Sequence, residues 1–159
     1  MTTAVEEKRY RPNVAAFVLN EQGQVLACRR TDAFKSWQIP QGGIDAGESP
    51  ERAVLRELQE EIGTNDVDIL GRLAQPTRYD WPVEAQRDGF HGQEQHYFLV
   101  RLRAGAAIDL HREHRPEFDE SEWVTAQEFM GRVGGFKAQA YCDALQQFQN
   151  LCPGIILWE

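Results

Sequence analysis

Residues Arg56-Glu57-Leu58-Gln59-Glu60-Glu61 set three carboxylates at helical spacings of three and four. On a helix such positions share one face. Like charges at that spacing repel and weaken the helix, so they call for a compensating group. A hard divalent cation with oxygen ligands suits them. The Gly-rich segment Gly42-Gly43-Ile44-Asp45-Ala46-Gly47 lies just upstream, where it can bring main-chain carbonyls close to the same cation. The pattern therefore predicts a metal site. Its bland competitor is a solvated acidic helix face, the ordinary fate of a charge run.

The elements that must carry these residues follow from local signals. Ser49 is a candidate N-cap with Pro50 at the first helical position, and Gly63 stands where a left-handed glycine ends a helix. Val54, Leu58 and Ile62 recur every fourth residue, which predicts a helix over Pro50–Ile62 with its apolar side on the core and its glutamates on a cleft. Upstream, residues 13–19 and 25–28 flank the turn Glu21-Gln22-Gly23-Gln24 and read as a β-hairpin. Residues 67–73 and 95–102 read as strands. Between them, 75–92 reads as a long polar loop, of the length that is often functional. A short strand at Trp123-Val124, a helix from Ala126, and a second helix over 136–149 complete the pattern. The apolar tail Ile155-Ile156-Leu157-Trp158 is expected to dock on the body or on a partner. The order predicts an α+β fold.

Composition narrows the class. The 159 residues suit one domain spanning 1–159, with 42% hydrophobic and 26% charged residues. No apolar run is long enough to cross a membrane, and the start MTTAVEEKRY lacks the apolar segment of a signal peptide. A cytoplasmic monomer is expected. The three cysteines Cys28, Cys142 and Cys152 show no C-x-x-C pairing and read as reduced thiols. The histidines His91, His96, His111 and His114 have no metal spacing. The net charge of −8, from 17 basic and 25 acidic residues, argues against a protein that grips many phosphates of a nucleic acid. An RNA ligand would be held by its end.

Residues 42–64 as a whole resemble the Nudix hydrolase box, G-x5-E-x7-R-E-U-x-E-E-x-G-U with U aliphatic. Gly42, Glu48, Arg56, Glu57, Leu58, Glu60, Glu61 and Gly63 fall in register, and Thr64 replaces the last aliphatic residue. The markers Tyr10–Val14, Trp37–Gly43, Gly92–Phe98, Pro116-Glu117-Phe118 and Phe136-Lys137 extend the resemblance to the bacterial RNA 5′-pyrophosphohydrolases. That branch also holds the asymmetric diadenosine tetraphosphate hydrolases.

The resemblance implies an α/β/α sandwich around a central mixed sheet. It also implies several Mg²⁺ or Mn²⁺ ions held by Glu57, Glu60, Glu61, Glu117 and Gly42. Arg56 would pair with Glu48 and orient the helix carboxylates, while Gly43, Gly47 and Gly63 would be structural. Arg11, Ser36 and Lys137 match phosphate-holding positions. Arg30 and Phe136 match a pair that sandwiches the first base, with Gln41, Gln93 and Gln95 beside it. Ala138 stands where many relatives carry a further basic residue. The implied reaction is hydrolysis of a phosphoric anhydride at the 5′-triphosphate or diphosphate end of RNA. Metal ions would polarise phosphoryl oxygens and lower the pKa of a water, and spacing leaves Glu57, Glu60 and Glu117 open as the base. Competing readings are a dinucleoside polyphosphate hydrolase, a nucleoside triphosphate or nucleotide-sugar pyrophosphatase, and a catalytically inactive nucleotide-sensing module.

Overall fold

The computed structural model describes residues 7–32 and 35–159, with the side chain of Phe136 outside the described set. Its strands are β1 (Tyr10–Leu19), β2 (Val25–Arg30), β3 (Trp37–Gln38), β4 (Gln41–Gly43), β5 (Val67–Arg72), β6 (Thr77–Asp80), β7 (Gly92–Leu102) and β8 (Phe118–Val124). The helices are α1 (Pro50–Ile62), α2 (Ala126–Arg132) and α3 (Ala138–Leu151). One mixed sheet runs β3-β2-β1-β7-β5, with β4 also on β1, β6 on β7 and β8 on β2. Strands β1 and β7 pair in parallel from Tyr10↔Gly92 to Leu19↔Arg101, and the other pairings are antiparallel.

Strand β1 explains the layering. Residues Val14 to Leu19 are all buried, because a strand at the middle of a sandwich has no solvent face. Ala15, Phe17 and Leu19 join Phe129, Tyr141, Leu145 and Phe148 of α2 and α3 in one core. Val14, Ala16 and Val18 join Val54, Leu58 and Ile62 of α1 in the other. These are the two periods of strand and helix meeting. Helix α1 is held between its caps: the Ser49 hydroxyl accepts from the Arg52 N–H, and Gly63 adopts φ +76°. A Cβ at Gly63 would come 2.5 Å from the Asp109 carbonyl oxygen.

The α/β/α sandwich agrees with the expected fold, and three local expectations need correction. The segment 75–92 contains β6, which pairs with β7 from Thr77↔Gln95 to Asp80↔Gly92. Its exposed, charged edge residues hid a strand that lacks an apolar signature. Strand β8 begins at Phe118, five residues before Trp123, since its exposed face is acidic. Helix α3 begins at Ala138, and Phe136 lies in a 3-10 turn over Gly135–Lys137. The brief strands β3 and β4 carry no sequence period. The tail docks on the body: Ile156 is buried, and the Leu157 N–H donates to the Gly23 carbonyl at 2.8 Å. All three cysteines are free thiols. Among the described residues no helix is long and apolar enough to cross a membrane.

Candidate active site

The helix period brings Glu57, Glu60 and Glu61 to one side of α1, but the fold treats them unequally. Glu57 and Glu61 are buried at 9% and 7% exposure, while Glu60 is open to solvent. Strand β4 lies against the buried pair. The Gln41 N–H donates to Glu61 Oε2 at 3.2 Å, and a Cβ on Gly42 would overlap the Glu57 carboxylate. Any side chain there would displace the Glu57 carboxylate.

Arg56 ties the helix to the loop before it. Its Nε and Nη2 donate to Glu48 at 2.9 Å each, its Nη2 to the Gly43 carbonyl at 2.8 Å, and its Nη1 to Glu57 at 2.7 Å. A weaker contact reaches Glu60 at 3.4 Å. The Arg56 fork and the Asp45 N–H hold the Glu48 carboxyl down at about 2. Gly47, at φ +76°, lets the loop turn between them.

Burial pushes Glu57 up and Glu61 well above the usual carboxylate range. Nearby Glu117 and Glu57 raise Glu61 further, against the Gln41 N–H, which lowers it. Such a buried carboxyl pair is a store of unfavourable charge that a cation relieves. These three helix glutamates and Glu117 line a cleft of about 330 Å³ together with Glu113, His114 and Arg115. Among the described residues no three Asp, Glu, His or Cys side chains stand close enough to enclose a metal ion, and Arg56 lies against Glu57 and Glu60. Their chemistry nevertheless suits a hard divalent cation: carboxylate oxygens, a main-chain approach opened by Gly42, and a buried acidic pair.

Glu117 is exposed at the start of β8, anchored by its main chain: the Thr31 N–H donates to the Glu117 carbonyl at 2.9 Å. Lys137 is half-buried and pushed down to about 8, first by burial and then by Arg30, while Glu61 and Glu117 pull the other way. Cations and carboxylates therefore meet in one place. Arg30 sits where the β2–β8 register shifts, and its Nε donates to Asp32 at 2.7 Å. The Ser36 carbonyl accepts from the Arg30 N–H at 2.9 Å. The Arg11 guanidinium lies against Gly43, where a Cβ would come 2.5 Å from its Nη2.

The amides divide. Gln95 is fully buried, donating to Asn13 at 2.9 Å and to Gln41 at 2.6 Å while accepting from the Tyr97 hydroxyl at 2.7 Å. It has no open surface and reaches the cleft only through Gln41, whose own amide donates to Gln38 at 2.8 Å. Gln93 is half-buried and accepts from the Tyr79 hydroxyl. The expected role of Phe136 as a base platform falls on a side chain outside the described residues.

Sequence reasoning missed Glu113, His114 and Arg115, which enter the cleft only because β8 pairs with β2 beside α1. It also missed Asn13, although a polar residue opening an apolar run is a readable signal of a buried amide network.

Three comparisons bear on this geometry. The NUDIX domain family matches residues 9–143. An RNA pyrophosphohydrolase of Campylobacter jejuni is 41% identical over 150 residues, covering 91% of this chain and 96% of that protein. An RNA pyrophosphohydrolase of a Sulfurovum species is 45% identical over 148 residues, covering 89% and 94%. Among solved structures, the dihydroneopterin triphosphate pyrophosphohydrolase of E. coli superposes with a TM-score of 0.71 at 17% identity, covering 89% of this chain and 97% of that one. That likeness concerns the fold.

Proposed function

The chain belongs to the NUDIX domain family, and from that membership we propose that it hydrolyses the phosphoric anhydride at the 5′-triphosphate or diphosphate end of RNA. Pyrophosphate or phosphate leaves, and a 5′-monophosphate remains. The observation that carries this reading is the cleft lined by Glu57, Glu60, Glu61 and Glu117 together with Arg115, close enough to Lys137 for Glu61 and Glu117 to act on its charge. The names of relatives at 41% and 45% identity point to RNA as the polyanion's owner. We read residues 1–159 as one domain, acting as a cytoplasmic monomer.

Glu57, Glu60, Glu61 and Glu117, with the Gly42 carbonyl, would hold Mg²⁺ or Mn²⁺. When bound, the ions supply charge neutralisation on the phosphoryl oxygens and a more acidic water. The protein's own groups do the positioning. Arg56 fixes Glu57 and Glu48 on either side of the loop. Lys137, Arg30 and Arg11 would balance the polyphosphate charge, and Ser36 and Gln41 would contact the same substrate. A carboxylate oxygen of Glu57, Glu60 or Glu117 takes the proton of the attacking water. Exposed Glu60 is the freest to do so.

The test is a product analysis with 5′-triphosphorylated RNA and diadenosine tetraphosphate side by side in Mg²⁺. Release of pyrophosphate or phosphate to leave 5′-monophosphate RNA is the expected result. Turnover of the dinucleotide alone would overturn it in favour of a dinucleoside polyphosphate hydrolase. Turnover of neither would favour a sensing module.

A further inference from the structure

At the β6–β7 edge the pleat of the sheet sorts charged side chains onto two faces. On the α1 face they are paired: Lys8 with Asp80, Arg78 with Glu94 at 2.7 Å, and Arg72 with Glu51 at 2.7 Å. On the opposite face Arg11, Gln93 and Tyr79 stand in register across β1, β7 and β6. Beyond them Arg9 and Arg87 are exposed and, among the described residues, form no ion pair. The Arg9 guanidinium lies 5.1 Å over the Phe90 ring, and that of Arg87 lies 5.0 Å over the Trp81 ring.

This stripe is built rather than loose. The His91 N–H donates to the Arg9 carbonyl at 2.7 Å, and the Arg9 N–H donates to His91 Nδ1 at 3.0 Å. Asp88 and Gly89, at φ +58° and +79°, make the two-residue turn favoured in hairpins. It sets Arg87 beside Phe90, whose N–H donates to the Arg87 carbonyl at 2.9 Å. Arg9 precedes Arg11 by two strand residues, ~7 Å, and Arg11 touches Gly43 at the edge of the catalytic loop. The stripe is thus continuous with the site.

We propose that this stripe is a track for the single-stranded RNA that trails from the site, an inference that rests on the RNA-end reading above. Arg9 and Arg87 meet backbone phosphates, and the Arg9–Phe90 stack offers a flat surface to a base. A guanidinium held over a ring keeps its outer N–H edge free for a phosphate oxygen, and stacking accepts any base. The exposed carboxylates Glu84 and Asp88 in the same loop keep the attraction short-ranged, in line with a protein of net charge −8. The result is a grip on a few nucleotides beyond the end, without sequence preference.

The experiment measures kcat and KM for a triphosphorylated dinucleotide and a triphosphorylated octanucleotide, with the natural chain and the double variant Arg9→Ala/Arg87→Ala. The natural chain should show a KM about 5-fold or more lower for the longer RNA. The double variant should lose that advantage and flatten its salt dependence, while turning over the dinucleotide normally, which also reports an intact fold. A length advantage that is absent, or that survives the double substitution, overturns the track. A stripe that instead binds another protein gives the second of those results or the first. Failure of the natural chain to turn over even the dinucleotide overturns the RNA-end reading itself, and the track falls with it.

Discussion

Two clefts open at opposite ends of strands β1 and β2. One, of about 330 Å³, is lined by the α1 glutamates, Glu117 and the 113–115 segment. The other is larger, about 400 Å³, between the Asn20–Gln22 turn and residues 102–106. Volume would choose the second, and chemistry chooses the first. In the larger cleft the polar groups are satisfied among themselves: the Asn20 side chain accepts from the Gln22 and Gln24 N–H groups, and Arg103 pairs with Asp66 and Asp68. In the smaller one carboxylates are pushed out of their usual range, and cations are held beside them. Unrelieved charge distinguishes a site from a crevice.

The sharpest way to break this contrast is metal removal. Chelation should abolish turnover and lower Tm, because an ion that binds only the folded state adds stability; Mg²⁺ should restore both. A chelated protein with unchanged rate and Tm would leave the smaller cleft no more special than the larger. Next comes Glu60→Gln, for which a loss of about 10³-fold in kcat is expected from removing several kcal/mol of transition-state stabilisation. Circular dichroism should show the fold unchanged, since Glu60 is exposed. Gly42→Ala follows. Its Cβ would displace the Glu57 carboxylate, and a misplacement of that size should cost about 10²-fold; retention of full activity would detach Gly42 from the site.

A smaller effect is expected from pH. With Lys137 at about 8, it is charged below that pH and neutral above. The kcat/KM should therefore fall about tenfold from neutral to one unit above its pKa, and Lys137→Met should flatten that limb. The sign for stability is opposite. A lysine held below its ordinary 10.5 penalises the folded state while protonated, so this contribution to stability should rise as pH climbs from about 8 toward 10.5. The smallest effect belongs to the other cleft. Arg103→Ala should leave turnover unchanged and cost ~0–1 kcal/mol, as exposed ion pairs do; any loss of activity would mean the two clefts communicate.

What could be read in advance depended on distance along the chain. Helix α1, its caps and its three glutamates lie within one local period, and the hairpin after β1 announced itself by an apolar run and a turn. Strand β6 did not, since Thr77-Arg78-Tyr79-Asp80 is an edge strand whose partner β7 supplies the order. The Asp88-Gly89 pair was a turn signal of the strongest kind, lost inside an apparent loop. Gln95 looked like a ligand-facing amide and is instead the hub of a buried network, because strand parity settles its direction only when the core face is known.

By itself the amino-acid sequence determined that the carboxylates of Glu57, Glu60 and Glu61 share one side of a helix, because spacing on a helix is local and the 3.6-residue period is universal. Only the tertiary structure decided which carboxylates are buried and which cations oppose them. Glu61, Glu117, Arg30 and Lys137 come from α1, the residue before β8, β2 and the turn before α3. Their meeting depends on a parallel β1–β7 pair and a β2–β8 edge, and those are long-range pairings that no local period encodes.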